Sequence, residues 1–415
     1  MTERTTEATA VSSPCFENLE EWLRGKMQET LQALLEEEVT EFLGRLRSQR
    51  RAAVDAPSGY RNGYGKPRRL TLSNGTIRLR RPRVRDTEEP FESRLLPMFS
   101  RRSRQVGELL PELYLHGLAE GDFDLALRGL LGQEAPLSAS TVARLKEKWQ
   151  AEMAQWSQRS LADLEVVYLW VDGIYVKAGL EKDRAAVLVV LAALSDGRKV
   201  VLAVVPGHRE SSQSWSSVLR DLKSRGLGCP RLVAGDGHLG IWGALGNVYP
   251  EAEQQRCWNH KMLNVLDKLP KRLHSAAKPL LSRIANAPGQ EQAEAAKREF
   301  QRWCRQQSQE AAAECLDRDW ERLITFYHFP EAHWRHLRTT NPIESPFAAL
   351  RLRTDAARRY KKVENATAVM WKLLLVAETR FRRLNAPEQL TEVFLGAQFV
   401  DGVRVQNRPE EEKAA

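Results

Sequence analysis

The chain has 415 residues and a hydrophobic fraction of 42%, enough for ordinary globular cores, and its length predicts about two to four domains. It contains no run of about 18 apolar residues and no apolar N-terminal signal segment, so we expect neither a membrane span nor a secretory leader. Five thinly spread cysteines favour a reducing cytosol over a disulfide framework, and a net charge of +9 favours an acidic partner, with nucleic acid the first candidate.

Residues 1–55 are predicted to form an N-terminal helical domain. Within residues 16–46, apolar side chains recur at helical spacing in an otherwise acidic segment. A single apolar stripe of this kind suits packing on a partner helix in a dimer, and it suits packing on the core of its own domain equally well. The stripe consists of Leu19, Leu23, Met27, Leu31, Leu34, Leu35, Val39 and Phe42.

Residues 56–104 are strongly basic, with 13 Lys or Arg against 4 Asp or Glu. Two runs that mix arginine with leucine, isoleucine and threonine flank "SNG", and an Asn-Gly pair between such runs is a hairpin signal. The segment therefore predicts a basic β-ribbon that lies along DNA phosphates or enters a groove, and a solvated basic hairpin is the alternative. The expected DNA contacts are Arg61, Arg68, Arg69, Arg78, Arg80, Arg81 and Arg83.

Residues 105–160 have the pattern of helices separated by short breaks, and they resemble a helix-turn-helix. Ser138 or Ser140 is a candidate N-cap, and Arg144 and Lys146 follow on the expected recognition helix. These two basic residues are candidate DNA contacts. An ordinary three-helix bundle would give the same pattern.

From residue 161 the periodicity changes to that of strands. Apolar runs at 166–173, 185–194 and 199–207 predict three strands, and "SDGR" joins the last two as a hairpin. A helix at 211–226, a strand at 231–237, a further helix and a strand at 253–260 complete an α/β sheet with an antiparallel edge.

The predicted sheet occupies the first part of a core, residues 161–260. An all-helical insertion is expected over residues 261–337, because no strand pattern returns there. The second part of the core covers residues 338–390, with a helical stretch at 345–384. A C-terminal tail, residues 391–415, ends in a polar, disorder-prone segment.

Two aspartates follow predicted buried strands directly. Asp172 comes after "VVYLWV" and Asp236 after "RLVAG", and ligand sites of α/β proteins form at such strand ends. Gly235 and Gly237 flank Asp236 and would allow a ligand or metal to approach closely. Either aspartate alone is weak evidence, because strand-end aspartates often cap turns.

Glu344 lies in the turn "TTNPIES", ahead of an arginine-rich helix. It could close a capping box as N3, with Asn341 as N-cap and Pro342 as N1. Pro346 instead favours a helix that starts only at Ser345. The remaining hypothesis is that Glu344 joins the two aspartates in one site. Three carboxylates supply the hard oxygen ligands that Mg²⁺ prefers.

The order Asp172, Asp236, Glu344, with a helical segment before the glutamate, resembles the DDE transposases. Several short segments around these residues resemble the Mutator-type transposases of bacterial insertion sequences more specifically, and the resemblance covers about residues 20–400. It implies an α/β fold with an RNase H-like catalytic core and an all-helical insertion, preceded by helical and small β DNA-binding domains. The matching segments are "YRNGYG", "VDGIYVK", "GDGHLGIW", "RCWNHKMLNVLDKLP" and "TTNPIES".

By this resemblance the three carboxylates are catalytic and together hold two Mg²⁺ ions, with Mn²⁺ able to substitute. The resemblance includes Cys257 and His260, which implies an accessory role beside the active site, and a buried core pair is the alternative. We do not expect a structural zinc site, because such a site needs four ligands and no second close pair is present. His238 is a candidate phosphate contact or helix cap. The basic helix after Glu344 adds the candidate DNA contacts Arg351, Arg353, Arg358, Arg359 and Lys361.

Two functions are weighed on these grounds. The first is a DNA transposase that binds terminal inverted repeats, cleaves a strand at each end and transfers it to target DNA, as a homodimer associated with the bacterial nucleoid in the cytoplasm. The second is a catalytically inactive or domesticated DNA-binding regulator derived from a transposase. A ribonuclease of the RNase H type would explain the sheet but not the basic ribbon ahead of it.

Overall fold

The computed structural model describes the chain from residue 15 to residue 405 with several gaps. The described residues are 15–53, 58–98, 100–118, 128, 131, 139–178, 184–207, 211–237, 239–357 and 359–405. The chain divides into two compact units, Met1–Leu145 and Lys146–Ala415. None of the helices in these ranges is long and apolar enough to span a membrane.

The first unit combines one long helix with two small antiparallel strand pairs. Helix α1 spans Leu19–Leu43 and ends at Gly44, whose φ of 65° is the left-handed conformation that glycine adopts without strain. The strands are β1 (Tyr60–Tyr64), β2 (Arg68–Leu72), β3 (Gly75–Leu79) and β4 (Pro82–Arg85), with β1 paired to β4 and β2 to β3. The predicted hairpin around "SNG" is thus confirmed as the β2–β3 pair.

A small core joins α1 to this hairpin. Leu35 of α1 is buried with Leu70, Ile77 and Leu79 of the two strands, and with Leu96 from the following loop. The predicted single apolar stripe is only partly correct, because its other members do not all lie on this packed side of the helix. Leu19, Leu23 and Leu34 remain exposed.

Helices also follow the strands, and two of them have bounds within the described residues. Helix α2 spans Arg104–Leu115, with Ser103 as its N-cap, and helix α3 spans Ala139–Ser157 and continues into the second unit. Most of the residues between them, and the candidate N-cap Ser138, lie outside the described residues. The helix-turn-helix hypothesis therefore stays a prediction.

The second unit is built on a five-stranded mixed sheet. Its strands are β5 (Val166–Lys177), β6 (Arg184–Leu194), β7 (Lys199–Gly207), β8 (Leu232–Gly235) and β9 (Glu253–Arg256), in the order β7-β6-β5-β8-β9. The β5–β6 and β6–β7 pairs are antiparallel, whereas β8 is parallel to both β5 and β9. The predicted α/β sheet with an antiparallel side is confirmed.

Two predicted strand bounds were wrong. Strand β5 does not end near residue 173 but continues to Lys177, because it stays paired with β6 as far as Arg184. The last strand stops at Arg256 rather than residue 260, and a helix begins at Trp258 with Cys257 as its N-cap. Asp172 therefore lies inside a strand, whereas Asp236 follows one directly.

The two faces of the sheet are covered by different parts of the chain. Leu169 and Val171 of β5 face helices α4 (Ser212–Ser224) and α5 (Leu239–Val248), with Trp215 and Leu245 in the same core. The alternate residues of β5 face the other way. The Tyr168 hydroxyl lies 2.9 Å from His333 Nδ1, and Trp170 Nε1 donates to the His336 carbonyl at 3.0 Å.

The predicted insertion is helical throughout, and no strand is present between residues 257 and 357. The predicted helical stretch at 345–384 is two helices rather than one, and the predicted tail includes a helix and a short antiparallel pair, β10 (Phe399–Val400) and β11 (Val403–Arg404). The helices after β9 are α6 (Trp258–Leu266), α7 (His274–Ala285), α8 (Gln290–Gln306), α9 (Glu310–Asp317), α10 (Trp320–Ile324), α11 (Trp334–Leu337), α12 (Asn341–Ala356), α13 (Val363–Glu378) and α14 (Pro387–Phe394).

Candidate active site

The register of the sheet brings the two aspartates side by side. Val171 of β5 pairs with Gly235 of β8, and these strands are parallel. Asp172 and Asp236 are the next residue on each chain, and neighbouring strands lie about 4.8 Å apart. Both side chains are half-buried. Although Asp172 is inside β5, it lies at the point where the β8 partner ends, and ligand sites of open α/β sheets form at such strand ends.

Glu344 reaches the same region from the face of the sheet that carries Asp172. Side chains alternate along a strand, so Asp172 points to the side of Tyr168 and Trp170. That side is covered by residues around His336, and helix α12, which carries Glu344, packs against β5 and β6. The structure thus brings the three predicted carboxylates to one end of the sheet.

The helix that carries Glu344 begins at Asn341, one residue before the Pro342 start of the capping-box hypothesis and four residues before Ser345. Thr340 is the N-cap of α12, so Asn341 and Pro342 are the first two helical residues. Pro342 fits because the first turn needs no N–H donor from it. Glu344 is therefore at N4 and does not close the predicted capping box, and Pro346 is accommodated inside the helix.

The N-cap residue serves the carboxylate instead of the helix backbone. The Thr340 side chain makes no capping hydrogen bond to the helix, and its hydroxyl donates to Glu344 Oε1. Its backbone N–H donates to Cys257 Sγ at 3.3 Å, and Oγ1 lies 3.2 Å from the same sulfur. Both Thr340 and Cys257 are completely buried. Sequence reasoning missed Thr340, because Asn341 was predicted to be the N-cap, although threonine beside a predicted helix start is itself a common N-cap residue.

Cys257 is in turn fixed to the sheet. Its backbone N–H donates to the Gly235 carbonyl at 2.8 Å, one residue before Asp236. The neighbouring Trp258 N–H donates to the Arg338 carbonyl at 2.9 Å, just ahead of Thr340. A short chain of hydrogen bonds therefore connects the end of β8 to the start of α12, and so relates the position of Glu344 to that of Asp236.

His260 is the cation of this cluster. Its Nδ1 lies 3.7 Å from Glu344 Oε1. A hydrogen bond to Cys257 raises the pKa of His260 to about 9, the charges of Cys257, Glu344 and Asp172 act in the same direction, and partial burial opposes them. The imidazole is therefore protonated at neutral pH and offsets part of the negative charge of the carboxylates. Cys257 and His260 thus lie beside Glu344, and an accessory role in the reaction stays a prediction.

Ligand atoms of Cys257, His260 and Glu344 all lie within 4.8 Å of one another. Three mixed donors do not complete the tetrahedral set of a structural zinc site. The sulfur also already accepts the Thr340 N–H. Carboxylates such as those of Asp172, Asp236 and Glu344 are the hard oxygen ligands that Mg²⁺ and Mn²⁺ prefer, and their role as a metal site stays a prediction.

The space beside Gly237, which was predicted to admit a ligand or metal, is occupied by the Arg256 side chain. A Cβ atom there would lie 1.2 Å from Arg256 Nη1, and the φ of Gly237 is 89°. The close approach is thus made by a guanidinium of the chain itself, not by a ligand. Arg256 Nε lies 3.5 Å from Asp319 Oδ2, and Lys261 Nζ, on a side chain only 2% exposed, lies 2.6 Å from the same oxygen.

The predicted DNA contacts differ in how their side chains are held. Arg69 and Arg78 are exposed and lie directly opposite each other on the hairpin. Arg61 donates to Thr40 Oγ1 at 2.6 Å, Arg68 to the Ser100 carbonyl at 2.9 Å and Arg81 to the Phe91 carbonyl at 2.8 Å. The exposed candidates are Arg69, Arg78, Arg80, Arg83, Arg144, Arg351, Arg359 and Lys361, and Lys146 is half-buried.

Arg353 was predicted to contact DNA, but its side chain is only 2% exposed. Burial of this guanidinium within the second unit leaves it unable to reach a phosphate in this conformation, so we omit it from the proposed contacts. His238 and Arg358 lie outside the described residues.

Comparison with known proteins defines the class of this protein as a transposase. The family model for transposases of the Mutator family matches residues 1–382, and the chain belongs to that family. This confirms the resemblance found in the sequence.

Curated relatives are transposases of insertion sequences. The transposase for insertion sequence element IS6120 of Mycolicibacterium smegmatis is 43% identical over 304 residues, covering 73% of this chain and 94% of the relative. The transposase for element IST2 of Acidithiobacillus ferrooxidans is 40% identical, covering 67% and 94%. The transposase for element ISRM5 of Rhizobium meliloti (strain 1021) is 29% identical, covering 92% and 94%.

Proposed function

We propose that this protein binds the terminal inverted repeats of an insertion sequence and catalyses metal-dependent cleavage and transfer of their DNA strands by a DDE mechanism. The observation that carries the proposal is the convergence of Asp172, Asp236 and Glu344 on one end of the sheet in a member of the Mutator family. These residues come from β5, the end of β8 and the first turn of α12.

The strand order supports an RNase H-like core. Three antiparallel strands in sequence are followed by a helix, a strand, a helix and a strand that add on the opposite side of the first strand. The same succession of elements was predicted from the sequence, and it places Asp172 on the central strand β5 and Asp236 directly after the neighbouring strand β8. The helical segment 258–337 then separates Asp236 from Glu344 along the chain.

The metal ions and the protein side chains have separate roles in the proposed reaction. Two Mg²⁺ ions held by the three carboxylates would supply activation of a water or DNA hydroxyl and stabilisation of the leaving oxygen. The protein would hold the carboxylates and a neighbouring positive charge in fixed positions. Thr340 holds one Glu344 oxygen, so the other oxygen and its remaining lone pairs are left for a ligand. The protonated His260 places a positive charge beside the carboxylates, where it attracts the phosphodiester.

Recognition is proposed to rest on the first unit. The exposed arginines of β2 and β3 project from the face of the hairpin opposite to Leu70, Ile77 and Leu79, which are buried against α1. A rigid two-stranded ribbon with an arginine face suits contact with the phosphates of double-stranded DNA. Arg351, Arg359 and Lys361 of the second unit are proposed to contact DNA near the cut. We also propose that the protein acts as a homodimer, because two element ends must be held together.

The test is cleavage of labelled terminal-repeat DNA. The full chain should nick or cleave the repeat end in Mg²⁺ or Mn²⁺, whereas Ca²⁺ should support binding without cutting, because the three ions accept oxygen ligands but differ in geometry. Specific binding with no cleavage in any of these ions would favour the alternative, a regulator derived from a transposase. The absence of specific binding would refute both functions.

A further inference from the structure

Helix α1 has a second apolar side that its own unit leaves exposed. Phe16, in the turn before the helix, is 94% exposed, and Leu19, Leu23 and Leu34 are 39%, 43% and 36% exposed. At about 100° per residue, Leu19, Leu23, Met27 and Leu34 lie within about 80° of one another around the helix axis. We refer to these four residues with Phe16 as the outer stripe.

The opposite side of α1 is the one that packs on the hairpin. Gln28 Oε1 accepts from the Arg78 N–H at 3.1 Å. Gln32 makes two hydrogen bonds of 2.9 Å with the backbone of Arg80. Leu35 and Val39 are buried on this side. The register of α1 on the hairpin is therefore fixed by polar and apolar contacts together, and no rotation of the helix can bury the outer stripe without breaking them.

The outer stripe ends where the unit begins to cover the helix. Glu38 accepts from the Arg94 and Leu95 N–H groups at 2.9 and 3.0 Å. Arg94 pairs with Glu41 at 2.8 Å, and the rings of Phe42 and Phe91 lie 5.3 Å apart. The loop at 91–95 thus occupies the last two turns of α1, whereas the first four turns present apolar side chains to solvent.

We propose that the outer stripe is the contact between two copies of this chain, with the two α1 helices antiparallel. The occupant is not DNA, because residues 16–46 carry 8 Asp or Glu against 3 Lys or Arg and would repel phosphates. A second copy supplies an identical apolar stripe, and a two-fold axis makes such a surface complementary to itself. This inference specifies the contact of the dimer proposed above.

The charges on the helix select the antiparallel direction. Glu37 follows the stripe on the same side of the helix, so a parallel pair would place it against Glu37 of the second copy. An antiparallel pair centred between Lys26 and Met27 places Leu19 opposite Leu34 of the second copy. It also moves Glu37 to the edge of the contact, beside Phe16 of the second copy and far from the other Glu37. Lys26 pairs with Glu29 of its own helix at 2.8 Å, so this arrangement places a balanced ion pair of each copy beside the contact and introduces no repulsion there.

The interface is small, and this sets the expected behaviour. Five large apolar side chains per copy are fewer than the roughly 20–30 residues a side of a standard stable interface. The dimer should therefore dissociate on dilution in the absence of DNA.

The assembly test uses the full chain, without DNA or metal, in sedimentation velocity over a range of concentrations. Wild type should show a concentration-dependent dimer, and Leu19→Glu with Leu23→Glu should weaken dimerisation at least about tenfold, since buried unpaired carboxylates replace apolar contacts. Leu395→Glu, at a side chain 77% exposed in the second unit, is the matched control and should leave the dimer unchanged. A monomeric wild type, or a double variant that dimerises like wild type, would overturn the proposal.

Cysteine cross-linking tests the direction. In a Cys15→Ser, Cys229→Ser background, which removes the two exposed thiols, a mixture of Leu19→Cys and Leu34→Cys chains should form a disulfide between the two variants under mild oxidation. Leu19→Cys alone should form little. A Leu19→Cys chain that links to itself more readily than to Leu34→Cys would show a parallel pair and overturn the antiparallel arrangement. Because neither experiment involves cleavage, a failure here is distinct from a failure of the proposed chemistry.

Discussion

The carboxylate cluster and the arginine hairpin hold their charges in opposite ways. Asp172, Asp236 and Glu344 are half-buried, and their positions follow from strand register and from hydrogen bonds among buried groups such as Thr340 and Cys257. Arg69 and Arg78 of the hairpin are instead exposed on a two-stranded ribbon. A reaction centre needs each group in one place, whereas attraction to phosphates depends mainly on the number of charges. A single substitution should therefore reduce cleavage severely in the carboxylate cluster. In the arginine hairpin, substitutions should weaken DNA binding in proportion to the number of charges removed.

The largest loss of cleavage activity is expected when one of the three carboxylates is removed. Asp172→Ala, Asp236→Ala and Glu344→Ala should each reduce strand cleavage by at least about 10³-fold, since a metal site contributes several kcal/mol to the reaction. Repeat binding measured by gel shift should stay close to wild type. Glu331→Ala, at an exposed carboxylate outside the site, is the control. Wild-type cleavage in any one of the three variants would remove that residue from the site.

A smaller loss of cleavage activity is expected when the Thr340 hydroxyl is removed. Thr340→Val removes the hydroxyl that donates to Glu344 while keeping the side-chain shape, and loss of a group that orients a metal ligand typically costs about 10–100-fold. The Mg²⁺ concentration for half-maximal cleavage should rise in parallel. Thr340→Ser keeps the hydroxyl and should restore most of the activity. Equal behaviour of the valine and serine variants would mean that Thr340 does not orient the carboxylate.

The comparison also shows what the sequence could reveal. Local signals were sufficient for the hairpin, because an Asn-Gly turn and alternating strands are determined by neighbouring residues. The two aspartates were found because each follows a run of apolar residues, and Glu344 was assigned by resemblance. Thr340 was missed because its partners Cys257 and Glu344 become neighbours only when the chain folds.

Two errors have the same origin. Gly237 was interpreted as room for a ligand, and the sequence gives no sign that Arg256 fills that room. Arg353 was included with its basic neighbours, although the helix turns its side chain inward. A run of charges indicates a basic helix but not which side of it the core covers. Those facts depend on packing between segments that are distant in sequence.

Repeat binding should weaken in proportion to the number of arginines that are neutralised in and beside the hairpin. Neutralising Arg78, Arg80 and Arg83 to Gln should weaken repeat binding and make its salt dependence shallower, because each lost phosphate contact lowers the slope of log K against log salt by about 0.9. Binding titrations at several salt concentrations measure this slope. Arg94→Gln, at an exposed arginine already paired with Glu41, is the control and should change the slope less. An unchanged slope in the triple variant would place the DNA elsewhere.

The smallest effect concerns acid stability and should separate the two units. Burial lowers the pKa of His336 to about 4, and burial also lowers the pKa of His333, which is enclosed with Tyr168. The unfolded chain binds these protons near pH 6.5, so the stabilising contribution is complete above pH 6.5 and is lost as the pH falls toward 4. For His336 the loss should be about 1–2 kcal/mol at pH 5.

His260 does not obscure this window, because its pKa is raised to about 9 and it is protonated in both states below pH 6. The first unit contains one histidine, the exposed His116, so hydrogen exchange at pH 5 should increase in strands β5 and β6 before it increases in β2 and β3. His336→Gln removes the titrating group and should flatten the difference in unfolding free energy between pH 7 and pH 5. If this variant keeps the full acid sensitivity of wild type, His336 does not cause it, and the difference between the units would have to come from their carboxylates.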